Sequence, residues 1–237
     1  MEKIRLFNLP NALTCCNLIS GCIAICYAMT YDMEMAMLWI VAGAVFDFFD
    51  GFSARLTHVS SPIGKELDSL ADVVTFGVAP SAIVGMMLVC VAPESMPLLP
   101  FAAFIMAAFS ALRLAKFNLD TRQTTSFIGL PTPANALFWA SLACGYGDRL
   151  AETPGTVTTV ALLVGMMVMS FLLIAELPMF ALKFKHYGWR GNEMRYLLLI
   201  FSVVLIVLLW EKALVWAIAL YIVMSIINNS LEKYRKI

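Results

Sequence analysis

The sequence predicts an all-α, polytopic membrane protein of about eight transmembrane helices, and three observations carry that expectation. First, of 237 residues 61% are hydrophobic and 14% charged, with mean hydropathy +0.85. A soluble domain of this length could not hide so much apolar surface in one core. Second, apolar segments long enough to cross a bilayer recur from end to end, separated by short connections rich in Pro and Gly. Third, the basic residues fall on alternate connections. The formal net charge is zero, so nothing draws the chain to nucleic acid, and none is expected as a partner.

Residues 1–10 read as an interfacial stretch, with Ile4, Leu6 and Phe7 set around Lys3 and Arg5. A signal peptide is not expected, because no small-residue cleavage site follows and Asn8, Pro10, Asn11 and Asn17 interrupt the early part. The spans follow at about 11–31, 34–56, 64–91, 97–117, 132–147, 156–181, 194–210 and 213–230. Their connections hold Pro62 and Gly64, Pro93, Pro131 and Pro133, Gly145 and Gly147, Pro154 and Gly155, and Gly188 and Gly191. No repeat or low-complexity linker divides the chain, so residues 1–237 are expected to form a single integral membrane domain. Cys15, Cys16, Cys22, Cys26, Cys90 and Cys144 lack metal-ligand or disulfide-framework spacing and serve as small apolar residues.

With eight spans, Lys3, Arg5, Arg55, Lys65, Arg113, Lys116, Arg122, Lys183, Lys185, Arg190, Arg195, Lys233, Arg235 and Lys236 share one side. Only Arg149 and Lys212 fall on the other, a split of fourteen to two that a miscount by one span would scramble. The positive-inside rule makes the basic side, and both termini, cytoplasmic.

One string stands out against this apolar background. It runs Asp47-x-x-Asp50-Gly51-x-x-Ala54-Arg55, then eight residues, then Gly64-x-x-x-Asp68-x-x-x-Asp72. Ionised acids at the edge of hydrocarbon are costly unless something neutralises them. At about 1.5 Å per residue, Asp47 lies about 12 Å before Arg55, which puts all four acids near the cytoplasmic boundary. Offsets of 0, 3, 4, 7 and 8 place Asp47, Asp50, Gly51, Ala54 and Arg55 on one helical stripe. Offsets of 0, 4, 8, 11 and 12 do the same for Gly64, Asp68, Asp72, Thr75 and Phe76. A hairpin of two such helices can turn both stripes inward and bring the carboxylates together. Hard divalent cations with oxygen ligands then relieve the repulsion, and a pair of them could bridge a diphosphate. Arg55 could clasp a phosphate bidentately.

At every fixed position the string resembles the signature of the CDP-alcohol phosphotransferases. "NLPNALTCCNLISG" near the start, "ADVVTFGVAPS" after the acids, "RLAKFN" at 113–118 and "GLPTPAN" at 129–135 resemble the membrane-integral phosphatidylserine synthases within that family. Thr75 stands where that branch leads us to expect serine, and it keeps the hydroxyl. The resemblance covers roughly the first 135 residues, and the last hundred carry no motif.

The resemblance implies the family's fold, with 34–56 and 64–91 as the catalytic helices, and transfer of a phosphatidyl group from CDP-diacylglycerol to L-serine with release of CMP. It implies two divalent cations, Mg2+ or Mn2+, one on Asp47, Asp50 and Asp68 and the other on Asp47, Asp68 and Asp72. Asp72 would also be the catalytic general base. Gly51, Arg55, Ser61, Pro10, Asn11 and Thr14 would bind CDP-diacylglycerol. A homodimer is expected from the family alone.

Arg113, Lys116 and Asn118 suit either anchoring at the cytoplasmic boundary or contact with the acceptor or its phosphate. Thr75, Thr132 and Asn135 could add polar contacts. Lys183, Lys185, Arg190 and Arg195 read as positive-inside residues facing anionic lipid. Other acceptors, glycerol 3-phosphate or inositol phosphate, would need a larger basic pocket. A cation transporter would need its acids near the midplane.

Overall fold

The computed structural model describes residues 6–57, 61–120, 127–180, 188–189 and 192–235. Within the described residues, eight long helical rods cover all eight apolar segments. They are α1 (Leu9–Met29), α2 (Met33–Thr57), α3 (Pro62–Val91), α4 (Leu99–Leu119), α5 (Thr132–Ala151), α6 (Thr156–Ile174), α7 (Glu193–Leu209) and α8 (Ala213–Arg235). Six stretches are both long and apolar enough to cross a membrane: α1, α2, α3, α4, α6 and the continuous run of α7 and α8, Glu193–Ser230. Helix α5, which carries Asn135, Asp148 and Arg149, falls outside that set. Lys3, Arg5, His58, Arg122, Lys183, Lys185, His186, Arg190 and Lys236 lie outside the described residues, as do residues 1–5 of the expected interfacial stretch.

The fifth and sixth helices end elsewhere than expected, while the last break falls where the sequence placed it. The sixth segment ends as a helix at Ile174, because Pro178 follows. Pro178–Met179 (β2) instead pairs antiparallel with Phe127–Ile128 (β1), Phe127 opposite Met179. The fifth helix runs through Gly145 and Gly147 to Ala151. Gly145 marks a close approach, since a Cβ there would press on the Lys212 stem, whereas one at Gly147 would make ordinary contact 3.4 Å from the Tyr31 hydroxyl. The break between α7 and α8 is at Trp210, whose φ of 49° stops the helix.

Helix α3 is the central rod: 67% of its most apolar window is buried, against 33% or less for the other five stretches. Its core residues Phe76, Ile83, Met87 and Leu88 are fully enclosed or nearly so. Midway it opens into one π-helical segment, Val73–Val78, beginning one residue after Asp72. Opposite, α2 and α7 present Phe48, Phe52, Val203 and Val207 outward, as a lipid-facing surface would.

Contacts separate the two ends of the bundle. At one end Lys65 donates to the Asn118 carbonyl and Lys116 pairs with Glu176. At the other, Lys212 packs on Gly145 and lies over the Tyr146 ring, while Thr159 donates to the Val91 carbonyl.

Candidate active site

Three helix starts and stops build the site at the lysine-rich end. Asn8 caps α1 by accepting from the Asn11 amide at 2.8 Å, and Pro10 occupies the first turn. Ser61 caps α3 the same way, its hydroxyl accepting from the Gly64 amide at 3.1 Å, with Pro62 next. Helix α2 packs along α1, carrying its acidic stripe inward.

The two stripes meet at three of their four acids, and Asp72 falls outside that group. Asp47, Asp50 and Asp68 each offer one oxygen, and these oxygens all lie within 4.8 Å of one another. Asp50 is steadied by the Thr14 hydroxyl, which donates to its Oδ2 at 2.6 Å. Oδ1 of Asp68 is buried and has no hydrogen-bond partner. Among the described residues, no basic side chain forms an ion pair with any of the four acids. An all-oxygen cluster with an orphaned, inward-turned lone pair fits a hard divalent cation.

Beside the acids opens a pocket of about 190 Å³. Helix α1 contributes Pro10, Asn11 and Thr14 to its wall, α2 contributes Asp50, Gly51 and Ala54, and the cap of α3 contributes Ser61, Gly64, Lys65 and Asp68. All of Pro10, Asn11, Thr14, Gly51 and Ser61 are therefore brought together. Gly51 leaves its face of α2 open: the nearest neighbour of a Cβ there would be Nη1 of Arg55, at 3.6 Å. The Arg55 guanidinium thus folds back toward Gly51 at the pocket's margin, although Arg55 is not part of the lining.

Asp72 sits deeper, 7% exposed, within electrostatic reach of Asp47, Asp68 and Arg113. Its Oδ1 accepts from the side-chain amide of Asn17 at 3.0 Å. Beyond it, Arg113 is also 7% exposed, stacks over Phe117 and lies 3.5 Å from the Thr132 hydroxyl. Nε of Arg113, the Ser110 hydroxyl and both amide atoms of Asn135 are buried without a hydrogen-bond partner. Such groups cost about 1–3 kcal/mol each when left unpaired, so a cluster of them suits a small polar ligand.

Thr75, Lys116 and Asn118 are placed differently. The Thr75 hydroxyl is fully buried and donates to the Asn17 carbonyl at 2.9 Å. Lys116 reaches Glu176 and the Ile174 carbonyl. The Asn118 amide donates to the Ser69 hydroxyl at 2.7 Å, tying α4 to α3. All three join one part of the bundle to another.

The sequence alone assigns Asn17, Gly21 and Gly43 no site role, although Asn17 and Gly21 lie in the string at 8–21. The signal was available: Pro10, Thr14, Asn17 and Gly21 are offset by 0, 4, 7 and 11, the same stripe pattern as the acids.

A family model described as CDP-alcohol phosphatidyltransferase matches residues 7–182. The chain is 33% identical over 186 residues to a Bacillus subtilis protein named CDP-diacylglycerol–serine O-phosphatidyltransferase, covering 78% of this chain and 94% of that one. A Helicobacter pylori protein of the same name is 40% identical over 134 residues, 56% of this chain and 55% of its own length. A Methanocaldococcus jannaschii protein, again so named, is 30% identical over 174 residues, 73% of this chain and 77% of the relative.

Proposed function

The chain belongs to the CDP-alcohol phosphatidyltransferase family, and on that footing we propose that it transfers the phosphatidyl group of CDP-diacylglycerol to the hydroxyl of L-serine, releasing CMP. The observation that carries the chemistry is the meeting of Asp47, Asp50 and Asp68 within 4.8 Å beside a pocket lined from α1, α2 and α3. The choice of serine is supported by the names of the relatives in three distant organisms.

In this reading Gly51 lets the nucleotide approach the backbone and Arg55 clasps a phosphate. Asp47, Asp50 and Asp68 would hold one divalent cation, and Asp47, Asp68 and Asp72 would hold a second, Mg2+ or Mn2+ in either place. When bound, the cations neutralise the diphosphate and offset charge that develops during transfer. Asp72 takes the proton of the seryl hydroxyl as the oxygen bonds to the β-phosphorus, the one bearing diacylglycerol. The bond from that phosphorus to the bridging oxygen breaks, and CMP leaves with its electron pair. No motif residue is an evident covalent nucleophile, so the displacement is direct. Arg113 and Thr132 face the acceptor.

The lysine-rich end is proposed as cytoplasmic, with eight crossings of the cell membrane, both termini inside, and residues 1–237 acting as one domain in a homodimer. The test is CMP release from CDP-diacylglycerol by purified protein, with L-serine, glycerol 3-phosphate and inositol phosphate supplied in turn. Release with serine alone supports the assignment. Release with one of the other alcohols alone overturns the acceptor while keeping the chemistry.

A further inference from the structure

Asn17 lies on the inner stripe of α1 and is fully buried. Its amide nitrogen donates to Oδ1 of Asp72 at 3.0 Å, while its own side-chain oxygen has no hydrogen-bond partner. An ionised carboxylate oxygen can only accept, and the amide presents its nitrogen to Asp72. The orphaned oxygen is then a consequence of that orientation. The side chain is held for what it donates.

The surroundings enforce the same arrangement. One residue beyond Asp72 the π-helical segment begins, and it turns Thr75 toward α1 and α2. The Thr75 hydroxyl donates to the Asn17 backbone carbonyl at 2.9 Å, one residue supplying both ends of the tie between α1 and α3. Thr75 can enter because Gly21 and Gly43 are bare there: a Cβ on Gly21 would come within 2.7 Å of the Thr75 Cα. A Cβ on Gly43 would come 3.1 Å from the Asn17 oxygen.

We propose that Asn17 is a positioning residue for the transfer reaction: locked by Thr75 against Gly21 and Gly43, it occupies one oxygen of Asp72 and leaves the other turned to the reacting groups. The proposal rests on the role given to Asp72 above. A carboxylate freed to rotate would misplace its reactive oxygen by about an ångström, enough to cost about 100-fold in rate. Asn17 does not line the nucleotide pocket, so substrate capture there is left intact.

The test uses full-length Asn17→Ala and the isosteric Asn17→Asp, which swaps the donor for an acceptor, alongside Asp72→Asn for activity, and Asp72→Ala, which removes the acceptor, with the double variant Asn17→Ala/Asp72→Ala for the melting cycle. We expect kcat to fall about 100-fold in both Asn17 variants with KM for CDP-diacylglycerol within about threefold of wild type. A thermal-unfolding cycle in detergent, free of divalent metal, gives a readout independent of activity. The double variant is expected to melt no lower than the less stable single variant, because both changes remove one shared bond. Wild-type kcat in Asn17→Asp, or additive losses in melting temperature, would overturn the proposal. Full transfer by Asp72→Asn would instead refute the role of Asp72, leaving the melting cycle to judge whether Asn17 holds it.

Discussion

Thr14 of α1 donates its hydroxyl to Asp50 of α2 at 2.6 Å, so the first helix of the chain steadies an acid of the second. Thr14 also lines the pocket beside those acids. A hydrogen bond to a charged group contributes about 1.5–3 kcal/mol. Thr14→Val keeps the shape and removes the donor, and is expected to lower kcat/KM for CDP-diacylglycerol by about 10- to 100-fold. Steady-state CMP release across a CDP-diacylglycerol titration measures it.

Two glycines on neighbouring helices should respond oppositely to the same added methyl. At Gly21 the new Cβ would meet the Thr75 Oγ1 and would lie 2.7 Å from its Cα, so backbone must shift. Gly21→Ala is expected to destabilise the bundle by about 1–3 kcal/mol, seen as a lower melting temperature in detergent. At Gly51 the nearest atom would be 3.6 Å away, so Gly51→Ala should melt like wild type. Its defect should appear as a raised KM for CDP-diacylglycerol, because the methyl enters the pocket proposed to hold the nucleotide.

Arg113 is buried near Asp72 and outside the pocket lined by Pro10, Asn11 and Thr14, with its Nε unpartnered and Thr132 3.5 Å away. Lysine keeps the charge but loses the planar fork. Arg113→Lys is expected to raise KM for serine about tenfold or more while leaving that for CDP-diacylglycerol within about twofold. Varying each substrate at saturation of the other separates the two effects.

Helices were legible because their signal is long and apolar: all eight segments appear as rods. The acids were legible because four charges beside hydrocarbon at helical spacing have few other uses. What escaped was local. Gly145 and Gly147 read as a turn, yet they lie inside α5, where the bare Gly145 admits Lys212 from another element. A glycine's role depends on what approaches it, which lies elsewhere in the chain. The pairing of Phe127–Ile128 with Pro178–Met179 rests on two residues from each strand, too short for any periodicity. The role of Asn17 needed its partner Asp72, 55 positions away, to be seen at 3.0 Å. Thr75 read as a possible ligand contact because a hydroxyl on the acidic stripe invites that reading, whereas the wider π turn directs it to the Asn17 carbonyl.

The central claim is that α2 and α3 together hold divalent cations through their aspartates, and Mn2+ binding tests it apart from any substrate. Titrating Mn2+ into the full-length protein in detergent, followed by electron paramagnetic resonance, should show saturable binding in wild type. Asp68→Asn, which alters the acid whose Oδ1 is buried without a partner, should lose it while melting near the wild-type temperature. Equal Mn2+ affinity in wild type and Asp68→Asn would contradict the account.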